Sequence, residues 1–145
     1  MKQFRVFLII VVSLFLFSCT GNAQNKTAKN QVEKNIIEVF NFHSTNRCVT
    51  CKAIEANTKY TLNTYFASEL KSGKIKHKVI NLDEKENDHL GEKFQVYGTS
   101  LFLNVITNGK EKQIDLTEFA FRNGKNQAIF SAELKVILKK QLNQF

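Results

Sequence analysis

The sequence predicts an α/β domain: a mixed central sheet with helices on both faces, in the order β-α-β-α-β-β-α. Three observations predict it. The run "IIEVFNFH", Ile36–His43, is β-branched and aromatic, as a buried strand is. A long stretch with apolar residues at helical spacing follows it. Further on, Asn108-Gly109 separates two strand-like runs, and Asn-Gly is the strongest short hairpin signal.

After the first strand, "STNR" reads as a turn. From Cys48 to Leu70 the chain reads helical, with Ile54, Thr58, Leu62, Tyr65, Phe66 and Leu70 on or near one face, and Gly73 stops it. Lys74–Asp83 reads as a second strand, with Ile75, His77, Val79 and Asn81 alternating on one face. Glu84–Val96 reads as a short helix carrying Leu90 and Phe94. Its start is rich in carboxylates, which favour the positive end of the helix dipole. The run from Ser100 to Phe121 reads as a hairpin. The last element, within 126–144, is an amphipathic helix with Ile129, Leu134, Ile137, Leu138 and Leu142 apolar.

The chain has 145 residues, 43% of them hydrophobic and 23% charged, which suits one domain with its own core. The formal charge is +8. Lysines supply most of it and are scattered apart from Lys139-Lys140, with no basic stripe interleaved with aromatics. That pattern argues against a nucleic-acid partner and for a solvated surface with weak attraction to anionic lipid.

The amino end has the form of a processing signal. Residues 1–18, "MKQFRVFLIIVVSLFLFS", open with Lys2 and Arg5 and continue with an apolar run from Phe7 to Phe17 broken only by Ser13. That run matches a signal-peptide core and is short for a bilayer-spanning helix. The residues Leu16 to Cys19, "LFSC", resemble a bacterial lipobox. The resemblance implies a signal peptide over 1–18 and lipid attachment at Cys19. Residues 19–35 then form a polar, flexible tether ahead of a domain spanning 36–145. It places the protein in the bacterial cell envelope, anchored by lipid and facing the periplasm. Thr20 after the cysteine leans towards the outer membrane. Removing Lys2 and Arg5 leaves 19 basic residues against 13 acidic ones, a charge of +6.

With Cys19 lipidated, Cys48 and Cys51 are the remaining thiols, and an oxidising compartment lets them pair. Their C-x-x-C spacing at the start of the first long helix carries three readings: a redox pair, half of a metal site, or a structural staple. The redox reading fits the position best. Unpaired N–H groups and the helix dipole stabilise an anion there, lowering the pKa of Cys48, and Arg47 and Lys52 add positive charge. Cys48 is then the nucleophile and Cys51, one turn on, the resolving thiol. A metal would find two thiolates and no second cysteine pair; copper(I) or trivalent arsenic would suit such soft ligands. A staple closing so short a loop removes little unfolded-state entropy. No cofactor is implied. Among other candidates, His43 reads as a loop residue or proton shuttle, and His77 and His89 as surface residues. Tyr97 reads as packing on a turn or lining a substrate groove.

The residues "VFNFHSTNRCVTCK" and Val79–Lys112, with its "NGK" hairpin, resemble the active-site strand, helix start and second half of a thioredoxin. The likeness covers 36–145. Within that superfamily "RCVTC", "INLDE" and "YGTSL" resemble the ArsF-like group of envelope proteins, described as a nitrophenyl compound nitroreductase subunit. The resemblance implies thiol–disulfide exchange with a protein or small-molecule disulfide. Electrons would come from a membrane thiol–disulfide transporter. It also implies three departures. The cis-proline turn of thioredoxins is matched by Thr99-Ser100, in a chain with no proline, so these are turn residues or substrate-docking positions. The buried aspartate that takes the second cysteine's proton is matched by Asn41, which takes none, so water, His43 or another acceptor must serve. The residue before the first cysteine is Arg47 rather than tryptophan. Mass spectrometry of the protein from a native host is expected to find Cys19 carrying a diacyl or triacyl addition, and a free thiol there would remove the anchor.

Overall fold

The computed structural model describes residues 35–145, so the signal segment, Cys19 and all but the last residue of the tether lie outside the described residues. Strand β1 (Ile36–His43) is followed by helix α1 (Val49–Tyr65) and helix α2 (Ala67–Ser72). Strand β2 (Ile75–Asn81), a 3-10 turn (Lys85–Asn87) and helix α3 (Asp88–Phe94) come next. The hairpin β3 (Ser100–Thr107) and β4 (Lys110–Asp115) leads into α4 (Thr117–Asn123) and α5 (Gln127–Leu142). The four strands lie in the order β2-β1-β3-β4, with β1 and β2 parallel and β3 antiparallel to both β1 and β4. This is the mixed sheet of a thioredoxin-like α/β fold.

Strand β1 runs through the centre, and its residues divide between two cores. Ile37 and Val39 join Ile54 and Leu62 of α1, Phe119 and Ala120 of α4, and Phe130, Leu134 and Leu138 of α5. Phe40 and Phe42 point to the other face, where they meet Phe94 of α3 and Phe102 of β3. The ring centroids of that quartet stand 4.7 to 6.1 Å apart in stacked, tilted and edge-on pairs. Burial on both faces explains why "IIEVFNFH" lacks the apolar–polar alternation of a half-exposed strand. Polar ties also fix α1 to its neighbours: Asn57 Nδ2 donates to the Gly124 carbonyl at 2.9 Å, and Thr61 Oγ1 to Ser131 Oγ at 2.9 Å.

Two elements differ from the sequence reading. The helix expected over Cys48–Leu70 breaks at Phe66, whose backbone leaves the helical region at φ −134°, ψ 27°. The ring of Phe66 is 2% exposed, so the break belongs with filling the core. The strand expected to reach Phe121 stops at Asp115, and Thr117–Asn123 is helical. Leu116, Phe119 and Ala120 are buried at spacings of three and four, a helical period that competes with the hairpin reading. Asp115 Oδ1 accepts from the Thr117 N–H at 2.8 Å and so satisfies a first-turn donor.

The α4–α5 corner closes tightly on α1. A Cβ on Gly124 would stand 2.8 Å from the Ala120 carbonyl oxygen, 3.0 Å from Ile54 Cγ1 and 3.2 Å from Thr50 Cγ2. Gly98, by contrast, has nothing within 4 Å of its Cβ position. Gly124→Ala is therefore expected to destabilise the fold by about 1–3 kcal/mol in urea unfolding. Gly98→Ala should stay within about 0.5 kcal/mol of the parent. Equal effects would show that the corner relaxes freely.

Candidate functional site

The carboxyl end of β1 delivers the chain through a short loop into α1, and Cys48 is the residue at which the helix begins. Its backbone is extended (φ −69°, ψ 163°), and its Sγ accepts the Cys51 N–H at 3.0 Å. The sulfur thus fills the place that a serine or aspartate oxygen takes at other helix starts. The Lys52 N–H closes the first turn on the Cys48 carbonyl at 3.1 Å. Cys48 and Cys51 form a disulfide with Cα atoms 5.0 Å apart. Cys48 lies exposed, whereas Cys51 is 8% exposed beneath it. Cys48 is therefore the more accessible of the two.

The other expected site residues are placed as follows. Lys52 is exposed beside the bridge. Arg47 turns back along α1: its Nη2 lies 2.6 Å from Glu55 Oε2 and 3.5 Å from the Cys51 carbonyl oxygen. Both side chains of the pair are mostly covered, at 19% and 26% exposure. Among the described residues, no partner meets the buried Arg47 Nε. The sequence reading gave Glu55 no role. Its signal was available: Glu55 follows Cys51 by four residues, hence lies one turn on along the same helix flank.

Thr99 precedes β3, at the end of the sheet where β1 meets Cys48, and is half-buried. Ser100 pairs with Phe42 and shares its face, the one away from α1, and its Oγ donates to the Gly98 carbonyl at 3.2 Å. All described peptide bonds are trans. Tyr97 stands 92% exposed just before this turn, and Val49, between the cysteines, is 83% exposed. Among the described residues, no group of three or more His, Cys, Asp and Glu side chains could hold a metal. A soft ion at the dithiol would find two protein ligands.

Asn41 is buried at 3% exposure on the α1 side of β1. Its Oδ1 accepts from His77 Nε2 at 2.7 Å. Its Nδ2 makes a long contact of 3.5 Å to Thr58 Oγ1, which donates in turn to the Ile54 carbonyl at 2.8 Å. The amide is committed to a polar thread two helical turns beyond Cys51. His77, expected at the surface, is instead half-buried in that thread. Burial pushes its pKa below the ordinary value of 6.5, the Glu55 carboxylate offsets part of this, and Lys59 adds to the lowering. His43 Nδ1 donates to the Ser44 carbonyl at 3.0 Å. Asp83 Oδ2 accepts the Thr45 N–H at 2.7 Å and so braces the loop ahead of Cys48. That bond holds the exposed carboxyl below its ordinary pKa.

No family model matches this chain, and no curated protein does. Among solved structures, the chain is similar to a thioredoxin from Thermus thermophilus at 18% identity and a TM-score of 0.47, over 73% of this chain and 76% of that one. It is also similar to a structure described as a malarial protein, at 19% identity and a TM-score of 0.39, over 61% of this chain and 96% of that one.

The lowered pKa of His77 has a consequence for stability. The folded chain favours the neutral ring, so this contribution is complete above the ordinary value of 6.5 and is lost as pH falls through the lowered folded value. Melting temperature should therefore drop between pH 7 and 5 more in the parent than in His77→Gln, which keeps a donor for Asn41. Parallel curves for the two proteins would remove the assignment.

Proposed function

We propose that this protein is a thiol–disulfide oxidoreductase or electron carrier of the bacterial envelope, lipid-anchored through Cys19 and cycling Cys48 and Cys51 between dithiol and disulfide. One observation carries the chemistry: a disulfide seated on a helix amino terminus, with one cysteine exposed and the other buried. In the reducing direction the Cys48 thiolate attacks a substrate disulfide and forms a mixed disulfide, and the first substrate sulfur leaves as thiolate. Cys51 then loses its proton, attacks Cys48 Sγ and releases the second substrate sulfur. The proton of Cys51 goes to water or to a nearby base, since Asn41 can take none. Regeneration takes two electrons, for which a membrane thiol–disulfide transporter is the fitting donor. The likeness to ArsF-like proteins points the substrate towards nitro or arsenic compounds. Val49, between the two cysteines, is 83% exposed and gives a disulfide-bearing partner apolar surface next to Cys48 in the chain.

Alkylation of the reduced protein at mildly acidic pH should modify Cys48 well before Cys51, by about tenfold or more in rate. Cys51→Ser should trap a mixed disulfide with a model disulfide, while Cys48→Ser forms none. Equal alkylation rates, or trapping by Cys48→Ser, would reverse the two roles.

A further inference from the structure

We propose that Glu55 sets the reduction potential of the Cys48–Cys51 pair by neutralising Arg47, a role that rests on the exchange reading given above. Arg47 directly precedes the reactive cysteine and carries a permanent positive charge. Its guanidinium is held 2.6 Å from the Glu55 carboxylate and 3.5 Å from the Cys51 carbonyl, so both charges of the pair lie alongside the first two turns of α1. Their limited exposure, 19% and 26%, keeps solvent from screening them as it screens a free surface pair.

The disulfide is neutral and the reduced pair carries a thiolate. A nearby charge therefore acts chiefly on the reduced form. Arg47 alone would favour the thiolate and make the disulfide a stronger oxidant. Glu55 alone would oppose the thiolate. Paired, the two cancel, and the helix terminus is left as the dominant influence on the sulfur. The Glu55 carboxylate also acts on His77, as Lys59 does with the opposite sign, from the side of α1 away from the cysteines.

The balance of the measured reaction is simple. Two glutathione thiols give two electrons to the Cys48–Cys51 disulfide and leave as glutathione disulfide. Of their two protons, one goes to Cys51 and the other to solvent, and Cys48 remains as thiolate.

The test uses the full chain in detergent with Cys19→Ser, so that only Cys48 and Cys51 react. Equilibration against glutathione buffers gives the fraction reduced for the parent, Glu55→Gln, Arg47→Gln, Arg47→Lys and the double variant Arg47→Gln/Glu55→Gln. Glu55→Gln should shift the equilibrium about threefold to tenfold towards the dithiol, and Arg47→Gln a similar amount towards the disulfide. Arg47→Lys and the double variant should stay within about twofold of the parent. Circular dichroism melts of each variant report whether it folds. A second readout does not need exchange: after reduction with a phosphine, the midpoint of Cys48 alkylation against pH should fall by about half a unit in Glu55→Gln and rise in Arg47→Gln. Shifts of the same sign in both single variants, or none beyond twofold, overturn the proposal. A parent that never equilibrates with glutathione sinks the exchange reading instead, and the signs of the alkylation shifts then decide the role of Glu55.

Discussion

The hydrogen bond from the Cys51 N–H to Cys48 Sγ is the contact on which the rest of the site depends. It makes a sulfur serve as helix cap, ties Cys48 to the start of α1, and brings the second cysteine back to the first. Everything around it acts to hold that start in place. Strand β1 is buried on both faces, so its carboxyl end cannot drift. Asp83 braces the loop that follows β1, and Arg47 straps that loop to α1 through Glu55. The fold supplies a fixed helix terminus, and the chemistry follows from what a helix terminus does to an anion.

The two faces of the sheet divide the work. The aromatic quartet under α3 gives bulk and rigidity, with Lys78 and Lys93 lying over the Phe40 and Phe94 rings. The α1 face carries the aliphatic core together with a thread of polar contacts through Asn41, His77 and Thr58. At its centre the Asn41 amide accepts from His77 and makes a long contact to Thr58.

Much of this was legible in the sequence. β1 keeps the bounds read from "IIEVFNFH", the hairpin turn falls at Asn108-Gly109, and the cysteines sit where a strand hands over to a helix. Such features are local: a run of β-branched and aromatic residues, a turn dipeptide, a spacing of three. What was not legible depends on tertiary contact. Phe66 reads as one more helical apolar residue until its burial shows it breaking the helix. Leu116 to Ala120 suits a strand by composition and a helix by spacing, and packing against the core decides it. His77 reads as a surface residue from sequence, and only the parallel pairing of β2 with β1 puts it beside Asn41. For Glu55 the spacing of four from Cys51 places it on the helix flank, but its pairing shows only in where the Arg47 side chain turns.

The sulfur cap carries one more consequence. Under the proposed exchange, the amide that donates to the disulfide sulfur would donate to a Cys48 thiolate on reduction, and a thiolate is the stronger acceptor. The first turn of α1 is therefore held more firmly in one oxidation state than in the other. The free energy that favours the reduced pair is the same free energy that tightens the turn. The Cys51 amide proton, by its rate of exchange with water, would read out the electron count of the site from inside the backbone.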